Sequence, residues 1–157
     1  MSSHQSAPGG ASQQARAGWM RVLALAQPAE LDRACAGLGR LPSYQWLRKP
    51  EVGMAMVRAR SGGDGGRFNL GEMTLTRCAV ALEDGTVGLA YVQGRDVRHA
   101  EQAAVLDGLL QLPGWHERLH EQVIAPLSRS RDERLARQGR QAARSRVEFF
   151  TMTRGED

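Results

Sequence analysis

The sequence is short of lysine, aromatics, cysteine and long hydrophobic runs, and each shortage excludes something. Of 21 cationic residues only Lys49 is a lysine, so the net charge of +4 is carried almost wholly by arginine. Arginine grips phosphate and carboxylate through parallel N–H groups and tolerates interfaces better than lysine. A basic balance permits nucleic-acid binding. No recognised nucleic-acid module is present, however, and the basic runs are not interleaved with the aromatics that stack on bases. Cys35 and Cys78 lie far apart and lack metal-ligand spacing. With no signal peptide and no run long enough to span a bilayer, they read as reduced, buried thiols of a cytoplasmic protein. Aromatics make up 5% and hydrophobic residues 41% of 157 residues, which predicts one domain with a lean core. Such a chain often completes itself against a partner.

What is present centres on residues 73–94. Asp84-Gly85 separates two apolar, β-branched runs, a strong short-range hairpin signal. A two-residue loop there pairs Leu82 with Val87, Val80 with Leu89, Cys78 with Tyr91 and Thr76 with Gln93 on one face. Ala81 with Gly88, Ala79 with Ala90 and Arg77 with Val92 then share the other. That second face is lined by small side chains, which lets another backbone approach closely. Arg77 is the one charge in its run of ten residues. Gly94 permits a sharp turn, and Asp96 is placed to cap a helix through Ala100, Ala103, Leu106 and Leu110. A strand, a glycine turn and a helix start with Arg77 and Arg95 nearby make a candidate anion site. The alternative is a well-capped helix with solvated arginines.

The remaining pattern predicts an α+β fold: an N-terminal αα-hairpin, an antiparallel sheet of about four to five strands centred on the 73–94 hairpin, and C-terminal helices. Residues 1–11 are polar and expected to be disordered, leaving 12–157 as a single domain. Ser12 is a possible first cap, and Pro28 opens a second helix that Gly37 and Gly39 end. Tyr44–Arg48 and Gly53–Arg60 read as separate strands. The glycine-rich stretch from Ser61 to Gly66 is a hairpin connection, since no Gly-Lys-Ser/Thr follows it. A polar helix over 126–145 has a thin apolar stripe, so it projects into solvent or bridges to another chain. Val147, Phe149 and Phe150 beyond it suggest an interface segment over 146–154, with folding back onto the sheet the alternative.

His116-Glu117-Arg118-Leu119-His120 literally matches a zinc-hydrolase motif, two imidazoles one helical turn apart with a glutamate as base. Pro126 limits that helix, no further histidine follows, and Leu119 with Trp115 and Val123 forms its apolar stripe. No metal is therefore expected. The hydrolase remains an alternative function, as does a small basic nucleic-acid binder.

Gly71-Glu72-Met73-Thr74-Leu75-Thr76-Arg77, Gln93-Gly94-Arg95-Asp96 with His99-Ala100-Glu101, Val123-Ile124-Ala125-Pro126-Leu127 and Ser145-Arg146-Val147-Glu148-Phe149-Phe150-Thr151-Met152 resemble the PhnG family. The resemblance runs in order from about Gln13 to Gly155. That family is the G subunit of the carbon–phosphorus lyase core complex, a subunit of alpha-D-ribose 1-methylphosphonate 5-triphosphate synthase. The resemblance implies a required, non-catalytic subunit supporting displacement of adenine from ATP by an alkylphosphonate. It implies the H, I and J subunits and the L protein as partners, with no nucleic acid or membrane. ATP is then the substrate of the complex, and no cofactor is held by this chain alone. Contacts to substrate or partner are expected at Arg77, Gln93, Gly94, Arg95, Asp96 and His99, with His99 accepting a hydrogen bond. Interface contacts are expected at Arg134, Arg146, Phe149 and Phe150.

Overall fold

The computed structural model describes residues 10–62 and 64–145. Helices α1 (Gly10–Leu25) and α2 (Pro28–Gly37) form the expected helical hairpin, followed by strands β1 (Tyr44–Arg60), β2 (Arg67–Leu82) and β3 (Val87–Gln93). Then come α3 (Val97–Leu110), α4 (Pro113–Leu119), a π-helical turn (His120–Ile124) and α5 (Ala125–Arg144). Helix α1 begins two residues ahead of Ser12, within the ordinary scatter of a helix start. Residues 1–9 and 146–157, and with them the expected interface segment, lie outside the described residues.

Among the described residues the sheet has three antiparallel strands in the order β1-β2-β3, where four to five were expected. Two expected strands are one: β1 runs 17 residues straight past Pro50. Proline cannot donate to a ladder, but β1 is an edge strand, and its pairing to β2 shifts register between Trp46 and Arg48 and again between Arg48 and Glu51. Irregular pairing at an edge is where a strand accommodates proline. Ser61–Gly66 is the tip between β1 and β2, as a hairpin connection should be.

The 73–94 hairpin forms with its register displaced by one residue. Val80 faces Gly88, Cys78 faces Ala90, Thr76 faces Val92, and Arg77 faces Tyr91. The loop holds three residues rather than two. Leu82 N–H donates to Thr86 O and Gly85 N–H to Leu82 O, with Gly85 in the left-handed region at φ +85°. A three-residue turn closed by a left-handed glycine carries one residue more than the primed two-residue turns. Asp84 secures it by accepting from the Thr86 N–H and hydroxyl, which hold its carboxyl below the usual range.

The displacement decides the core. Thr76, Cys78, Val80 and Leu82 are buried on β2 with Gly88, Ala90 and Val92 on β3, while Val87 and Tyr91 are exposed. The small residues of β3 thus lie on the core face, where α3 comes down on them. A Cβ on Gly88 would sit 1.9 Å from the Ala104 carbonyl oxygen and 2.7 Å from the Gly108 nitrogen. Close backbone approach was expected of a small-residue face, and α3 is the backbone that approaches. Leu23, Leu31, Leu106, Leu109, Leu110 and Leu119 complete the core from the helices.

Pro126 stands in the first turn of α5, as expected, but no break precedes it. Helical backbone is continuous from Pro113 to Arg144, and Ala125 N–H reaches back to His120 O in the wide π turn. A helix that must pass a proline loses one ordinary bond, and widening the turn just before it is one way to absorb that.

Gly88→Ala is expected to cost about 2–3 kcal/mol, because helix backbone rather than a flexible side chain must move aside. Urea unfolding of the two proteins measures it, and an unchanged midpoint would contradict the close approach.

Candidate functional site

The polar network of the core sits on Asp107 of α3, whose side chain is fully buried. Its Oδ1 accepts from Arg16 Nε at 3.1 Å and Trp19 Nε1 at 2.8 Å. Its Oδ2 accepts from Arg16 Nη2 at 2.7 Å and the Leu89 N–H at 2.9 Å. Four donors satisfy the carboxylate, and the guanidinium pKa is raised by its hydrogen bonds to Asp107. Arg16 Nη2 and Gln111 Nε2 both donate to Val87 O, so side chains close the outer edge of β3.

The residues singled out around the 94–96 turn are not one site. Gly94 is left-handed at φ +94°. Its N–H donates to Thr74 O at 2.9 Å, and Thr76 Oγ1 donates to its carbonyl at 2.7 Å. Asp96 caps α3 as expected, accepting from the His99 N–H at 2.9 Å. The helix start therefore already holds a carboxylate, which competes with any external anion. His99 is buried, and its Nε2 donates to Leu23 O at 2.7 Å. It donates there because a carbonyl has no proton to give. Gln93 and Arg95 are exposed.

Arg77 stands on the opposite face of the sheet from His99. Its Nε and Nη2 lie 2.6 and 2.5 Å from Glu51 Oε1, and Arg48 Nη1 reaches the same oxygen at 2.6 Å. Arg48 first and Arg77 second hold the Glu51 carboxyl below the usual range. Two guanidiniums share one carboxylate, which leaves one unneutralised positive charge on a solvent-facing sheet.

Arg134, expected at an interface, is engaged within the chain. It donates to Glu30 Oε2 at 3.0 Å, and Ser130 Oγ donates to Glu30 Oε1 at 2.6 Å, tying α5 to α2. The Ser130 hydroxyl and Arg134 hold Glu30 below the usual carboxylate range. Arg146, Phe149 and Phe150 lie outside the described residues.

The two histidines of the zinc-like motif line one cleft, with Trp19, Arg16, Gln111 and Glu121, and their ring centroids are 6.1 Å apart. His116 Nδ1 donates to Leu110 O at 2.7 Å, and the ring meets Trp19 edge-on at 5.4 Å. No three ligating side chains converge among the described residues, and a hydrolytic zinc needs three. Burial pushes the Cys35 and Cys78 thiols up to about 11, which keeps them protonated rather than nucleophilic at neutral pH.

Sequence reasoning missed the Glu101 site. Tyr44 Oη at 2.6 Å and Trp46 Nε1 at 2.9 Å both donate to Glu101 Oε1, joining β1 to α3. Burial, then the bond to Glu101, pushes the Tyr44 phenol up to about 12.

These features define a class, a basic α+β protein whose polar side chains mostly fasten its own elements together and whose charged sheet face is left to solvent. Residues 14–155 match the model of the family described as phosphonate metabolism protein PhnG, and the chain belongs to that family. A relative from Rhizobium meliloti (strain 1021), alpha-D-ribose 1-methylphosphonate 5-triphosphate synthase subunit PhnG, is 43% identical over 141 residues, covering 88% of each chain. Among the described residues no helix is long and apolar enough to cross a membrane.

Asp107→Ala is expected to lower stability by about 3–5 kcal/mol in urea unfolding, because it strands a guanidinium and two buried N–H groups. The Tyr44 phenol ionises more easily in the unfolded chain than in the folded one. Its contribution to stability is therefore complete below pH 10 and lost as pH rises towards about 12. Tyr44→Phe is expected to remove that part of the alkaline loss, as followed by thermal melts across this range.

Proposed function

We propose that this chain is a required, non-catalytic subunit of a complex that displaces adenine from ATP with an alkylphosphonate, yielding ribose 1-phosphonate 5-triphosphate in organic phosphonate catabolism. The observation that carries the reading is the family match over residues 14–155, together with a 43% identical relative named as a subunit of that synthase. Its partners are the H, I and J subunits of the core complex, with the L protein acting alongside, in the cytoplasm. ATP is the substrate of the whole assembly, and this chain holds no cofactor by itself.

The side chains favour a supporting role. The thiols are protonated, His99 is committed to the Leu23 carbonyl, and Asp96 to its own helix. What faces outward is arginine. The Arg48–Glu51–Arg77 cluster, with Gln93 on the same sheet face and Arg95 beyond the turn, offers positive charge to an acidic partner or a polyphosphate.

The test is adenine release from ATP and methylphosphonate by the co-expressed subunits with the L protein. Omitting this chain is expected to abolish release, and the chain alone is expected to give none. Turnover by the chain alone, or undiminished turnover without it, would overturn the reading. Arg77→Lys is expected to reduce turnover on the order of tenfold, since an ammonium cannot reproduce a planar two-donor grip.

A further inference from the structure

The β1–β2 ribbon outgrows the core that supports it. Along β1, Val52, Met54 and Met56 alternate onto one face, opposite Thr76, Thr74 and Glu72 of β2. Thr76 is fully buried on that face, yet Val52, Met54 and Met56 are 45%, 66% and 51% exposed. The face that α3 covers near Thr76 therefore continues outward uncovered. Further along the ribbon, past the register shift after Val57, Phe68 and Leu70 are exposed at 45% and 65%. Phe68 pairs with Ala59 and so belongs to the other face. Val52, Met54 and Met56, neighbouring exposed apolar side chains on one face of β1, mark an interaction surface, and methionine is suited to an irregular partner.

The two edges of the sheet differ as well. The outer edge of β3 is closed by Asp107, Arg16 and Gln111, whereas β1 is the opposite edge and no other strand pairs with it among the described residues. An unpaired edge carrying apolar side chains invites a second chain unless something covers it. Charge narrows the partner. From Met56 to Glu72 the outer ribbon carries three arginines, Arg58, Arg60 and Arg67, against two carboxylates, Asp64 and the Glu72 opposite Met56. A second copy would bring the same arginines to the contact and set like charge against like. An apolar groove with an acidic rim on a different protein satisfies both the methionines and the arginines.

We infer that the outer half of the β1–β2 ribbon, through Val52, Met54 and Met56, docks in an acid-rimmed apolar groove of another subunit of the complex. This rests on the subunit reading above. The experiment is affinity purification of the tagged full chain co-expressed with the H, I and J subunits. Met54→Glu combined with Met56→Glu is expected to lower recovered partner at least about tenfold, the scale of a lost hot spot. Thermal melts of the chain alone are expected to be unchanged, because both side chains are exposed. Leu25→Glu, an exposed position on α1, is the control and is expected to assemble like the parent. Equal recovery in the methionine variant overturns the docking assignment while leaving the subunit reading intact. Equal loss in Leu25→Glu overturns it too. So does a dimer of the chain alone that the methionine variant abolishes, which would assign the face to a second copy. A parent chain that captures no subunit overturns the subunit reading and the docking assignment together.

Discussion

The fold turns on one buried carboxylate. Removing Asp107 from water costs several kcal/mol, and a single ion pair rarely repays that. Here the repayment is spread over α1, through Arg16 and Trp19, and over β3, through the Leu89 N–H. Each donor comes from an element that could otherwise slide along α3. Apolar packing alone would tolerate small shifts of α1 or β3, whereas four directional bonds to two oxygens do not. The arrangement also explains Gly88. For Asp107 to reach the edge N–H of Leu89, α3 must lie close on β3, and only a residue without a side chain admits it there.

The large features were legible because they are local. Pro28 at a helix start, Asp96 as a cap and Gly85 and Gly94 in left-handed turns each follow from one residue's own conformational preferences. The hairpin register was not legible to the residue. Asp84-Gly85 fits both a two-residue turn and a three-residue turn ending in glycine, and the choice moves every opposed pair by one. What decides it is which side of β3 meets α3. That is a long-range matter, settled by Gly88 and Ala90 rather than by the turn. The sheet was over-counted for a similar reason. Pro50 reads as a strand break when a strand is taken alone, but at an edge it needs only a shift in pairing.

The candidate site was legible by residue type and illegible by grouping. Arg77 was picked out as an isolated charge, yet its partner Glu51 lies 26 positions away across a strand pair whose irregular register no pattern reveals. Tyr44 and Trp46 meet Glu101 across more than 50 positions. His99 and Arg77 were expected together among the contacts to substrate or partner. A strand alternates its faces and a helix start turns away from them, so the fold sends one inward to the Leu23 carbonyl and leaves the other on the open sheet face. Arg134 likewise finds a partner far away in sequence, Glu30 of α2, which no local pattern announces.

A physical division of labour results. Where α1 and α3 cover the sheet, almost every singled-out polar side chain is spent on the chain itself: Asp107, His99, Asp96, Thr76 and Glu101 all bond inward. Beyond Thr76 the same strands continue with methionine, valine and arginine and, among the described residues, no covering helix. A ribbon of two strands is marginal in water on its own, so its length makes sense only if something repays the ordering of those residues. Membership of a family whose relative is named as a synthase subunit supplies a reason for such repayment to come from outside the chain. The lean aromatic content belongs to the same account. With so few large side chains the core is just wide enough to hold α3 on three strands, and surface left uncovered on the ribbon is available for assembly rather than for folding.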